Sequence, residues 1–91
     1  LNRLINPILI IEVLSDTTEK IDKGDKFKAY KSIPSFTEYL LISQDKRFIT
    51  LYTKYNEKFW FQSEYEAGET LKLESLDIEL SVNEIYEGII G

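Results

Sequence analysis

The chain contains no cysteine and no histidine. The first absence excludes disulfides and thiolate metal sites; the second excludes imidazole catalysis and most zinc sites. Methionine is missing as well, and the chain begins Leu1-Asn2-Arg3-Leu4. A complete gene product starts with methionine or shows a processing signal, so the sequence is expected to be a piece whose missing part precedes Leu1. No apolar run reaches membrane-spanning length and no signal peptide is visible. The expectation is therefore no membrane association and a cytoplasmic location. Excess positive charge is absent too: the net charge is -5, which gives no electrostatic footprint for nucleic acid.

What is present is the composition of one small soluble domain. Its 91 residues are 43% hydrophobic and 30% charged, near the lower end for an independent core. Six Tyr, five Phe and one Trp supply large side chains to fill it.

Glu12 is the most informative residue. It interrupts the apolar run Ile8-Leu9-Ile10-Ile11-Glu12-Val13, which reads as a strand over 8–13 buried on both faces. A carboxylate there is costly unless it is paired, hydrogen-bonded or bound to a metal. Asp16 with Glu19 three residues on has capping-box spacing. A helix is predicted from about Thr18 to about Ser32, stopped by Pro34. With Lys26 at the centre of a helical wheel, Asp22, Ala29, Tyr30 and Ile33 fall within about 60° of it. Lys23 and Phe27 lie on the flank; Lys20, Gly24, Asp25, Lys28 and Lys31 lie on the far side. Lys26 thus occupies the face expected to meet the sheet.

Further strands are predicted over 37–44, 48–55, 59–65 and 70–74, separated by turns at Asp45-Lys46-Arg47, Asn56-Glu57 and Ala67-Gly68. Strand, helix, strand implies a right-handed parallel crossover. Ser81 with Glu84 is a second capping-box spacing and starts a short helix through about Tyr86.

A buried strand carboxylate holds a hard cation such as Mg²⁺ through oxygen, and the Val13 carbonyl would add a second ligand. Lys26 would stabilise phosphate charge, a combination that suits metal-assisted phosphodiester hydrolysis. The plainer reading makes Glu12 and Lys26 a structural ion pair, Asp22 ordinary i, i+4 helix support, and Tyr30 a core residue. Phe59, Trp60 and Phe61 are expected in the core, with base stacking as the alternative. Asp45 and Arg47 read as loop residues.

These residues carry a family likeness. Ile11-Glu12-Val13-Leu14-Ser15, Thr18, Asp22-Lys23-Gly24-Asp25-Lys26, Tyr30, Ile33-Pro34 and Glu38-Tyr39 resemble the Uma-two family of restriction-endonuclease-like proteins. Ser75 to Leu80 and Ile85-Tyr86 resemble it also. The family is similar to the PD-(D/E)xK nucleases, whose metal site takes an Asp from one strand, an acid from the next, and a Lys two residues later. Glu12 matches the second acid. Leu14 occupies the usual lysine position, and the resemblance implies that Lys26, on the following helix, replaces it. Asp22 and Tyr30 match the helix's other polar members, while the first Asp has no counterpart in this chain.

The resemblance thus implies an α/β, restriction-endonuclease-like mixed sheet with a crossover helix, an antiparallel meander and a short C-terminal helix. The 91 residues would form the C-terminal portion of one such domain. It also implies Mg²⁺-dependent DNA cleavage, DNA as the partner, and an assembly open to homodimerisation. Two rival readings remain: a nuclease-fold remnant that only binds a protein, and an unrelated interaction module.

Overall fold

The computed structural model describes residues 7–14 and 24–90. Strand β1 (Leu9–Leu14) leads through residues outside the described set to helix α1, helical over 24–30. Then follow β2 (Glu38–Ser43), β3 (Phe48–Lys54), β4 (Trp60–Glu66), β5 (Thr70–Leu73), β6 (Ile78–Ser81) and α2 (Val82–Ile85), which runs into a π turn over Tyr86–Ile90. Four strands form one sheet in the order β1-β2-β3-β4, and β5 and β6 form a separate hairpin. The β1–β2 pair is parallel, with Glu12 opposite Leu41; β2–β3 and β3–β4 are antiparallel. This mixed α/β arrangement is the restriction-endonuclease-like one that the resemblance implies.

Alternation along the strands divides the core in two. One face of the sheet carries Leu14, Tyr39 and Leu41, packed with Phe36 and with Phe27, Tyr30 and Ile33 from α1 and its C-terminal turn. The other carries Leu40, Ile42, Ile49 and Leu51, covered by Leu71, Leu73, Val82, Ile85 and Tyr86. The β2 strand lies at the centre and is buried throughout.

Local chemistry explains the element ends. Beyond residue 30, the Ser32 and Ile33 amides bond three residues back, to Ala29 and Tyr30, so the helix tightens before Pro34 stops it. In α2, Ser81 accepts from the Glu84 amide while the Glu84 carboxylate accepts from the Ser81 amide, a complete capping box. At the β3–β4 turn the Asn56 side-chain oxygen accepts from the amides of Lys58 and Phe59. Gly68, at φ 90°, supplies the left-handed residue of the β4–β5 turn.

The structure corrects four expectations. First, β1 is not buried on both faces: Ile11 is 47% and Val13 44% exposed, because β1 is the edge of the described sheet, although Leu9 on the same face packs against the core there. Second, α1 is rotated from the predicted wheel. Phe27, not Lys26, is the central anchor, with ring contacts at 4.5–5.2 Å to Tyr39, Tyr52 and Trp60. Burying an aromatic ring is favourable, whereas burying an ammonium is not, so the helix turns its phenylalanine inward. Ala29, expected inside, is exposed, and Lys31, expected on the far side, lies 4.3 Å over the Phe27 ring. Third, Ile78–Ser81 forms a strand where none was predicted. Fourth, Phe59 and Phe61 are 63% and 60% exposed rather than core; Trp60 does pack inward, against Phe27 and Phe36.

Candidate active site

The parallel register places Ile10, Glu12 and Leu14 on the sheet face that α1 covers, beside Tyr39, Leu41 and Ser43. Glu12 therefore points toward the helix. Lys26 meets it: Nζ lies 3.0 Å from Glu12 Oε1. The two side chains are unequally placed, at 44% exposure for Lys26 and 19% for Glu12. Lys26 is therefore the half-exposed member of the pair and Glu12 the mostly enclosed one.

Glu12 Oε1 is enclosed and, apart from this ion pair, makes no hydrogen bond of ordinary geometry among the described residues. The part of the side chain that remains open lies elsewhere than Oε1. The Val13 carbonyl has a distinct setting. The Ile8 and Leu14 carbonyls accept from β2-side amides, those of Thr37, Glu38 and Gln44. Carbonyl directions alternate along a strand, so that of Val13 turns away from β2 to the edge that no described strand pairs. A carboxylate and an edge carbonyl next to it are both hard oxygen donors, the type that Mg²⁺ takes. They are a partial set, since no group of three acidic side chains that could hold a metal occurs among the described residues.

Tyr30 stacks edge-on against Phe36 at 5.8 Å and Tyr39 at 5.5 Å, and so borders the same region. Asp22 lies outside the described residues. Arg47 lies in the β2–β3 loop, and its guanidinium donates to Asn83.

One residue of this face was not singled out as a site residue: Tyr39. It is wholly buried, its ring is held by Phe27, Tyr30, Phe36 and Tyr52, and its hydroxyl has no ordinary hydrogen bond among the described residues. Burial pushes its pKa well above the usual tyrosine value, and the Glu12 carboxylate pushes it further. The signal for it in the sequence is a tyrosine inside the otherwise apolar stretch Tyr39-Leu40-Leu41-Ile42, beside Glu12 once the strands pair in parallel.

A mixed sheet, a crossover helix and an acid–lysine pair between them define the class of fold, and relatives define the family. The chain matches the Uma2 family, described as "Putative restriction endonuclease", over residues 2–83. It belongs to that family. It is 39% identical over 83 residues to the uncharacterised protein slr1290 of Synechocystis sp., covering 91% of this chain and 44% of the relative. It is 41% identical over 69 residues to the uncharacterised protein sll1609 of the same organism, covering 76% of this chain and 38% of the relative. The chain thus spans less than half the length of these curated relatives. The endonuclease activity named in that description is a statement about the family. No helix among the described residues is long and apolar enough to cross a membrane.

Proposed function

We propose that the whole protein is a Mg²⁺-dependent DNA endonuclease acting in the cytoplasm, with these residues as the C-terminal portion of one restriction-endonuclease-like domain. The observation that carries this reading is the enclosed Glu12 Oε1 beside a half-exposed Lys26. An ion pair with one partner in water contributes about 0–1 kcal/mol. Removing a carboxylate from water costs several kcal/mol. Stability alone therefore does not account for the arrangement, and such violations of the usual rules mark functional sites.

In this reading the Glu12 carboxylate and Val13 carbonyl would hold the cation. Lys26 faces the scissile phosphate and stabilises the charge that grows on it, while Asp22 and Tyr30 orient the lysine and the phosphate. A divalent cation held there would supply Lewis-acid chemistry. The aromatic floor of Phe27, Tyr39 and Trp60 keeps water from one side of the pair, so its electrostatics act in a lowered dielectric.

The test is plasmid cleavage by the whole protein with and without Mg²⁺. Cleavage that needs the ion and is abolished by Glu12→Ala is the expected result; cleavage that survives Glu12→Ala overturns it. The 91-residue chain alone is expected to be inactive, because Mg²⁺ usually takes one or two carboxylates with substrate phosphate and water and Glu12 is the one carboxylate this reading assigns to the cation. Sedimentation of the whole protein tests for a homodimer.

A second reading, a non-catalytic protein-interaction module on the same fold, is favoured by one observation. Tyr55, Phe59 and Phe61 are 60–68% exposed at the β3–β4 end, with the Tyr55 and Phe61 rings 5.4 Å apart. A Glu12→Ala protein that retains all biological function would favour it.

A further inference from the structure

We propose that Tyr39 is a positioning residue for Glu12: its hydroxyl donates to the carboxylate and fixes how that group is presented beyond the Lys26 pair. This rests on the nuclease reading only for its purpose, not for the contact itself.

Geometry brings the two groups together. Tyr39 is opposite Ile10 in the parallel register and Glu12 is opposite Leu41, so the two are diagonal neighbours on one sheet face. A tyrosine and a glutamate are long enough to meet across such a diagonal. The Tyr39 ring has no freedom to turn elsewhere. Phe27 lies 5.1 Å from it on one side and Tyr52 6.2 Å away, while Tyr30 and Phe36 meet it edge-on at 5.5 and 5.9 Å.

Among the described residues, two buried polar atoms on this face lack an ordinary hydrogen bond: Tyr39 Oη and, apart from its ion pair with Lys26, Glu12 Oε1. One is a donor and the other an acceptor. A buried hydroxyl without an acceptor is destabilising, and a hydrogen bond to Glu12 would satisfy it while adding a second partner to the carboxylate beside Lys26. Tyr39 also feels the Glu12 charge and a directional polar interaction with it.

The chemistry follows from what a neutral phenol can do. It stays protonated throughout the physiological range, so it is a constant donor. It adds no charge that would compete with a cation. With Lys26 and Tyr39 both directed at the inner side of the carboxylate, the open part of Glu12 is left to a ligand. This is the role of an outer partner that orients a ligating carboxylate.

The experiment is a double-mutant cycle read by thermal denaturation, joined to a titration of the whole protein with Mn²⁺ alone. Tyr39→Phe keeps the ring and removes only the hydroxyl. With Glu12 present it should lower Tm by roughly 2–4 °C, the shift for one lost hydrogen bond in a protein of the relatives' length. Combined with Glu12→Ala it should leave Tm unchanged or raise it, because the hydroxyl then has no acceptor. Glu12→Leu replaces Glu12→Ala if the latter does not fold. Mn²⁺ affinity should fall roughly 10–100-fold in Tyr39→Phe. An equal Tm effect in both backgrounds overturns the proposal, and so does unchanged Mn²⁺ affinity in a protein that binds the ion. If the unaltered protein binds no Mn²⁺, the nuclease reading fails and the Tm cycle alone decides the role of Tyr39.

Discussion

The two faces of the four-stranded sheet are built to different standards. The face under the β5–β6 hairpin and α2 is aliphatic, and its main polar groups are answered. Glu38 is 1% exposed, yet its two oxygens accept from the amides of Ser75 at 2.7 Å and Glu74 at 3.1 Å. The Tyr86 hydroxyl accepts from the Phe48 amide, and its one proton has the carbonyls of Ser43, Lys46 and Phe48 within reach. The α1 face is aromatic and holds Tyr39 Oη and, apart from its Lys26 ion pair, Glu12 Oε1 without ordinary hydrogen bonds among the described residues. The third such atom among the described residues, Ser75 Oγ, belongs to the turn beside Glu38. One face therefore behaves as scaffold, while the other leaves polar capacity unspent where an acid and a lysine meet. The difference teaches that a buried carboxylate is not by itself a site: Glu38 is the more buried of the two, and its partners explain it fully.

That contrast can be broken on the scaffold side first. Glu38→Ala removes a buried carboxylate that accepts from two part-buried amides and should destabilise by about 2–3 kcal/mol, read as a lowered urea midpoint. Little change would mean that the hairpin is not tied to β2 through Glu38. Phe27→Ala should cost about 2–3 kcal/mol, below the range for a fully buried ring because Phe27 is only half-buried. If the structural correction is right, this exceeds the cost of Ala29→Ser on the same helix, and equal costs would restore the predicted wheel.

Tyr86→Phe should cost about 1–2 kcal/mol near neutral pH. Its pH dependence sharpens the comparison. Burial raises the Tyr86 pKa above the ordinary 10.0, so its neutral form is favoured in the folded state. The stability this gives is complete below pH 10 and is lost as pH rises through the folded value. Tyr86→Phe should therefore flatten the alkaline fall in stability, and an unaltered alkaline profile would contradict the assignment. The smallest effect is expected at Phe61→Ser, within about 0.5 kcal/mol, since that ring is already largely in water. A larger loss would show that the exposed aromatics pack on something in the whole protein.

Much of this was legible before the structure. Four of the predicted strands past the helix fall within one or two residues of β2 to β5, since alternation and turn residues such as Asn56 and Gly68 mark them clearly. The capping box at Ser81 and Glu84 was read correctly from spacing alone. Glu12 stood out because a charge in an apolar run violates a simple rule. Other features depend on tertiary context. The rotation of α1 depends on which large ring the sheet can accommodate, and a wheel centred on Lys26 has no term for that. Strand β6 was hidden because Ile78-Glu79-Leu80-Ser81 is short and pairs only with β5, after Asp77 takes a left-handed φ of 53°. Tyr39 was invisible as a partner of Glu12 until the parallel register set them diagonally. The exposure of Ile11 and Val13 follows from what lies beside β1, which the run itself does not record.

The most direct test of the central claim, that the α1 face is a working site, is the steady-state kinetics of Lys26→Ala against Lys28→Ala in the whole protein with Mg²⁺. Lys26 pairs with Glu12, whereas Lys28 is an exposed residue of the same helix. Losing one electrostatic contact made mainly in the transition state costs about 3–4 kcal/mol, roughly a hundred- to a thousand-fold in kcat. The account predicts that fall for Lys26→Ala with DNA affinity nearly unchanged, and near-normal kinetics for Lys28→Ala. Equal activity in the two variants, with Lys26→Ala merely melting earlier, would contradict it and make the pair structural.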